Sequence, residues 1–302
     1  MARAIFVLTP TESKRLLGKA VARMEEVKHA LQKSNIMIGH GTTNVYVLEE
    51  LLGKEKLYEL VNPLTYVSGI IIRGTLCTTS AREKPPIVLL KRGIVIPPPP
   101  TMSEMLRDFK SDSVVIKGAN AIDVEGNAGV LVAHPEGGMT GWAIGAILAR
   151  GICLITPVGL EKLIPSVKQA VSLCGQETFD YCPGKKVGMI PLSNAKVVTE
   201  IEAIKILTGV DAFHVASGGL SGSEGSVTLV AEGEQEPMNK TIQLIESIKG
   251  EPPLNFRKGI CETCVDYSPV LPKEAIDYTS PQIFCQFQGK KEEEIPLYLR
   301  NR

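Results

Sequence analysis

The sequence predicts an α/β layer fold: a mostly parallel sheet with helices on both faces, followed by a smaller α+β module. Three observations carry this. Short, continuous, branched apolar runs recur through the first half, as in strands buried on both faces of a parallel sheet. Helical patterns alternate with those runs. Three of the strand-to-helix junctions are polar and bear glycines, and open α/β sheets hold ligands beyond such strand ends.

The 302 residues allow two domains, or one large domain with an extension. The expected organisation is a sheet domain over 1–180, the α+β module over 181–250 and a C-terminal extension over 251–302. An apolar stripe of Leu16, Leu17, Ala20, Val21, Met24, Val27 and Leu31 predicts a helix over 11–33, with Thr9, Thr11 and Ser13 as possible caps. Lys14, Arg15, Lys19, Arg23 and Lys28 lie largely off that stripe and read as a solvated face. Next come a strand over 36–38, a turn, and a helix running to Leu52. Further strands are expected near 66–72, 87–90, 113–117, 128–133 and 152–156, and a helix over 139–150. Residues 97–100 are four prolines, which extend neither helix nor ladder and make a stiff connector. Past 182 the order is strand (187–191), helix (199–207), strand (211–216), a glycine- and serine-rich turn, strand (227–231), helix (237–249). That order suits a ferredoxin-like module lacking one strand. One more strand is possible over 283–287.

Composition limits the function. Lys+Arg and Asp+Glu are both 33, and a neutral chain has no general pull toward nucleic acid or membrane. One Trp and few aromatics leave no base-stacking platform. No stretch approaches the roughly 20 apolar residues of a membrane span. The N-terminus lacks the layout of a signal peptide, so a cytoplasmic location is expected. Seven scattered cysteines fit reduced thiols better than a disulfide framework.

Chemistry gathers at the three junctions. The first is Gly39, His40, Gly41, Thr42, Thr43 and Asn44, where backbone N–H groups opening a helix suit a phosphate or carboxylate. The second runs from Lys117 and Gly118 through Asn120 to Asp123. It is either a ligand edge or a turn in which Asn and Asp hold their own backbone. In the third, Glu136 precedes Gly137 and Gly138; its carboxylate either serves catalysis or simply favours the following helix N-terminus. His134 beside it reads as structural or as an edge donor. The turn over 217–226 reads as a mobile hairpin loop or a ligand loop. Cys261 and Cys264 form a CxxC without the further ligands zinc needs, so no metal is expected. The charged loop Arg82-Glu83-Lys84 reads as a solvated turn.

Two stretches support a family resemblance. IGHGTTNVYVLEEL resembles the glycine-threonine turn that opens ribose-5-phosphate isomerases. KGANAIDVEGNAGVLVAHPEGG, with the following helix and GICLITP, is similar to a run in initiation-factor-2B-like proteins and sugar-phosphate isomerases. The resemblance covers about residues 10–160. It points to the superfamily of glucosamine-phosphate deaminases, ribose-phosphate isomerases and coenzyme A transferases. It implies a Rossmann-like sheet and an enzyme for an anionic, phosphorylated metabolite, with no cofactor beyond coenzyme A as a possible substrate. Self-association into a homo-oligomer is implied too. Asp123 or Glu136 would move a proton, and Lys117 or Asn120 would steady an enediolate-like oxygen. The isomerases carry aspartate where this chain has Asn120, and an amide is no general base. Two alternatives remain open: acyl or coenzyme A transfer with Glu136 as nucleophile, and a ligand-sensing or assembly protein that keeps the pocket without the acids.

Overall fold

In the computed structural model, which describes residues 1–79, 83–192, 194–256, 258–264 and 285–300, the chain opens with strand β1 (Ala2–Leu8). Thr9 then caps helix α1 (Pro10–Arg23) in a reciprocal capping box with Glu12, with Pro10 at the first helical position. The stripe expected as one helix breaks at Met24, whose backbone is extended, and resumes as α2 (Glu25–Lys33). There follow β2 (Asn35–Ile38), α3 (Thr42–Leu52), α4 (Lys54–Leu60), β3 (Gly69–Ile72), β4 (Thr75–Thr78), β5 (Val88–Lys91) and β6 (Ile94–Ile96). The middle of the chain supplies α5 (Met102–Met105), β7 (Val114–Ile116), β8 (Ala121–Ile122), β9 (Ala128–Val132), α6 (Gly138–Arg150), β10 (Cys153–Pro157) and α7 (Val167–Leu173). The last part holds β11 (Gly188–Pro191), β12 (Lys196–Val198), α8 (Glu200–Thr208), β13 (Asp211–Gly218), β14 (Ser226–Gly233) and α9 (Gln235–Ile248).

The branched runs build a six-stranded sheet of order β12-β10-β7-β2-β5-β6. The first four strands are parallel neighbours, whereas β5 and β6 run antiparallel, so the sheet is mixed. Strand side chains alternate between faces, and here both faces are covered. Ile36, Ile38, Val88, Leu90, Val114, Ile116 and Ile155 enter one core with residues of α1, α3, α8 and α9. Met37, Leu89, Val115 and Leu154 enter the other with α6 and the segment from Met102 to Phe109. Each fully buried aliphatic side chain contributes roughly 1.5–3 kcal/mol, which explains why these runs read as unbroken apolar stretches.

Several elements differ from the expectation. The run over 128–133 does not join the parallel sheet. As β9 it lies between β11 and β8 in a small antiparallel sheet, because hairpin pairing with β8 is available at once (Ile122 opposite Ala128). The strand expected over 66–72 shortens to β3, which among the described residues pairs with β4 in a two-stranded hairpin. The strands of 181–250 are shared among three sheets rather than forming a closed module. β11 joins β9, β12 forms an edge of the six-stranded sheet, and β13 and β14 pair with β1 in the order β1-β14-β13. Ile5 lies opposite Val230, so a strand from the opposite end of the chain pairs with β14. α8 packs on α1 and α9. Arg82 of the charged loop, and Ile283 and Phe284 of the possible last strand, lie outside the described residues. Cys285 makes a single antiparallel bridge to Lys185. Among the described residues no helix is long and apolar enough to cross a membrane, and all seven cysteines are unbridged.

Candidate functional site

β2 and β7 are parallel neighbours with Ile38 opposite Ile116, so the loops that follow them leave the same edge of the sheet. Gly39 N–H continues the ladder onto the Ile116 carbonyl at 2.9 Å, and Lys117 N–H onto the Ile155 carbonyl at 3.0 Å. The third junction follows β9 of a different sheet, yet the start of α6 reaches the same edge. A Cβ built on Gly39 would fall 2.7 Å from Met139 Sδ and 3.1 Å from Lys117 Cδ. Glycine at this position therefore lets the three segments close together. All three border one cavity of about 480 Å³.

Two helices begin at this cavity without a side-chain cap. α3 starts after Gly41 and α6 after the left-handed Gly137, so neither has a capping hydroxyl or carboxylate, unlike α1 with Thr9 and α8 with Thr199. Gly41, Thr42, Thr43, Gly137, Gly138, Met139 and Thr140 all line the cavity. Helix N-termini carry partial positive charge and attract anions. Asn44 does not line it. It is fully buried, and its Nδ2 donates to the carbonyls of Gly39 (2.7 Å) and Ile116 (3.3 Å), pinning the first loop to the sheet.

His40 lines the cavity and is nearly inaccessible to solvent. Its Nε2 lies 2.7 Å from the Pro85 carbonyl, which can only accept, so Nε2 carries the proton. Burial, with the nearby positive charges of Lys84 and Lys117, pushes its pKa down to about 3. The ring is a neutral imidazole at neutral pH.

The charged side chains of the described lining are lysines, Lys14, Lys84, Lys117, Lys162 and Lys185, with no aspartate or glutamate among the described lining residues; threonines, Ser68, Asn120, His40 and His134 are among its other polar groups. Lys117 is enclosed by protein yet keeps surface open to the cavity, and its Nζ donates to the Gly118 carbonyl at 3.2 Å. Desolvation and the charge of Lys162 push its pKa down to about 8. Burial lowers the pKa of Lys14 as well, against the attraction of Glu161. Lys185 is brought in by backbone pairing of its N–H with the Leu76 carbonyl of β4, at 2.9 Å. The remaining lining is largely apolar and includes Ile71, Ile72, Leu76, Val130, Leu254 and Phe256.

Two expected acids stand elsewhere. Asp123 does not line the cavity. One of its oxygens accepts the N–H groups of Glu125 (3.1 Å) and Asn127 (2.9 Å), and the other accepts that of Val167 (2.9 Å). Burial would raise its pKa, but these donors hold it below the usual value. Glu136 is exposed, also outside the lining, and accepts the Trp142 indole N–H at 3.1 Å. Gly118 and Asn120 do line the cavity, and Asn120 Oδ1 accepts the Leu131 N–H at 3.0 Å. His134 lines it too, packed edge-on against Trp142, with Nδ1 accepting the Glu136 N–H. In the CxxC, Cys264 N–H bonds to the Cys261 carbonyl in a turn and Lys258 Nζ sits 3.3 Å from Cys261 Sγ. No cluster of three or more His, Cys, Asp or Glu able to hold a metal occurs among the described residues.

Sequence does not single out Lys162 or Lys185, and it points Lys14 and Lys84 to solvent rather than to a site. Arg15, next to Lys14, does not face open solvent either: Glu49, Glu50 and Glu251 hold it, and it lies over the face of Tyr46. The four lysines are far apart in the chain, and no local spacing marks them. No protein-family model, curated protein or solved structure matches the chain.

Proposed function

We propose that this cavity takes a small phosphorylated or otherwise anionic metabolite, and that the chain acts on it as an isomerase- or transferase-like enzyme. One observation carries the reading: five lysines and two uncapped helix N-termini face a common space from which carboxylates are absent among the described residues. Cations drawn together repel one another, and a bound anion relieves that repulsion; the carboxylate nearest Lys162, that of Glu161 at 3.8 Å, lies outside the lining. The volume and the apolar lining suit a metabolite with a carbon skeleton beyond its anionic group. Because Asp123 and Glu136 are engaged outside the lining, proton transfer falls to Lys117, the lining group whose pKa approaches neutrality. The missing carboxylates also favour a second reading, a ligand sensor that binds without turnover.

Thermal-shift and calorimetric titration against sugar phosphates, nucleotides and coenzyme A thioesters tests both readings. Stabilisation by at least one anion is expected, with affinity falling on the order of tenfold (about 1.4 kcal/mol) in Lys162→Ala. Turnover of the hit supports the enzyme, and binding without turnover supports the sensor. If no anion stabilises the protein, or if Lys162→Ala leaves the affinity unchanged, the cavity is not the site.

A further inference from the structure

Lys117 is placed differently from a lysine that merely neutralises an anion. It follows the central strand β7 directly, so its backbone is fixed by the Ile155 carbonyl. Its side chain is flanked by Gly39 and Met139 and keeps surface open to the cavity. Its ammonium has a backbone carbonyl as hydrogen-bond partner, and the charge acting on it most is another cation, Lys162. A lysine in a desolvated setting beside a second cation is held toward its neutral form, the form that attacks carbonyl carbon. Lys84 and Lys162 are also at the cavity, so the anion of a ligand has other cations to engage.

We propose that Lys117 is a nucleophilic amine that captures the carbonyl of an anionic aldehyde or ketone in this cavity as a Schiff base. This rests on the anion-binding reading and extends it from holding a ligand to bonding with it. The amine nitrogen adds to the carbonyl carbon, and one N–H proton passes to the oxygen, giving a carbinolamine. The hydroxyl then leaves as water with one proton taken from solvent, and the nitrogen lone pair forms the C=N bond. The net change is amine, carbonyl and proton to iminium and water, with no oxidant or reductant. The iminium keeps positive charge beside the ligand's anion, and attack by water reverses the step.

Lowering an amine from the ordinary lysine range to about 8 raises its neutral fraction near pH 7.5 on the order of 100-fold. Pyridoxal 5′-phosphate, an aldehyde carrying a phosphate, serves as the probe. The full chain is incubated with one equivalent near pH 7.5, reduced with sodium borohydride and mapped by peptide mass spectrometry. Thermal shift with the same compound and with inorganic phosphate is read in parallel. The expected result is a reduced adduct on Lys117 favoured roughly 100-fold over surface lysines, lost in Lys117→Arg and suppressed by inorganic phosphate. The wild-type map decides the matter even if the variant fails to fold. Phosphate-sensitive stabilisation with the adduct on Lys162 or on surface lysines overturns the Schiff base and leaves the anion site standing. No stabilisation and no adduct overturns both.

Discussion

Single residues at this site are set by what surrounds them more than by their type. His40 is neutral because burial and two lysines disfavour its cation, and Asp123 is a structural carboxylate because three backbone N–H groups occupy it. Glu200 shows the same principle with a measurable consequence. It is fully buried at the first position of α8; one oxygen accepts the Leu160 N–H at 2.9 Å and burial pushes its pKa up to about 7. Between the ordinary value of 4.5 and about 7 the folded chain keeps a proton that the unfolded chain releases. Stability therefore falls as pH rises through that window, by roughly 3 kcal/mol once it is crossed. Glu200→Gln should match the wild type near pH 4 and exceed it by up to roughly 3 kcal/mol at pH 8 in urea denaturation. Parallel pH profiles for the two proteins would contradict this. Sequence singles out the first junction through its local glycine and threonine pattern, and Gly41, Thr42 and Thr43 of that junction border the cavity. The roles of Asp123 and Glu136 are not legible in it, because a carboxylate beside glycines looks the same in sequence whether it faces a ligand or ties down a loop.

Elements were legible where the pattern is local. The central strands and helices α3, α6, α8 and α9 follow from apolar runs and periodicity within a few residues, and Thr9, one of three possible caps, is the one that caps α1. Short strands paired over long distances were not legible. β1 lies in an unremarkable N-terminus, and its partner β14 is more than two hundred residues away. The contact that seats α1 on α3 shows how tightly the elements are fitted. A Cβ on Gly18 would fall 2.8 Å from both the backbone carbon and the Cβ of Tyr46. Gly18→Ala gains helix propensity but must push the helices apart, and overpacking typically costs roughly 1–3 kcal/mol. A lowered midpoint in chemical denaturation is expected; an unchanged or raised midpoint would show that α1 shifts without cost. Because Lys14 rides on α1 and Tyr46 on α3, both at the cavity, the same variant should weaken anion binding.

At the scale of the whole molecule, an even charge balance conceals a strongly uneven distribution. Thirty-three basic and thirty-three acidic residues cancel in the sequence, while the described cavity lining carries lysines and no carboxylates. Folding assembles this lining from α1, from the ends of β2 and β7, from the start of α6, from Lys162 at the end of a 3-10 turn (Leu160–Lys162), and from Lys84 and Lys185 in loops. Sequence marked the sheet edge where those parts meet, through its glycine-bearing junctions. It could not mark the convergence of lysines, which exists only once the strands are ordered. The proposed function requires this edge to hold an anion between the N-termini of α3 and α6, within reach of Lys117. Crystals soaked with tungstate, a tetrahedral oxyanion visible by anomalous scattering, test it most directly. The strongest peak is expected inside the cavity, in contact with the backbone N–H groups of Thr42 or Thr43 and with a lysine ammonium. Peaks confined to the outer surface, with the cavity empty at saturating tungstate, would rule out an anion site at this edge.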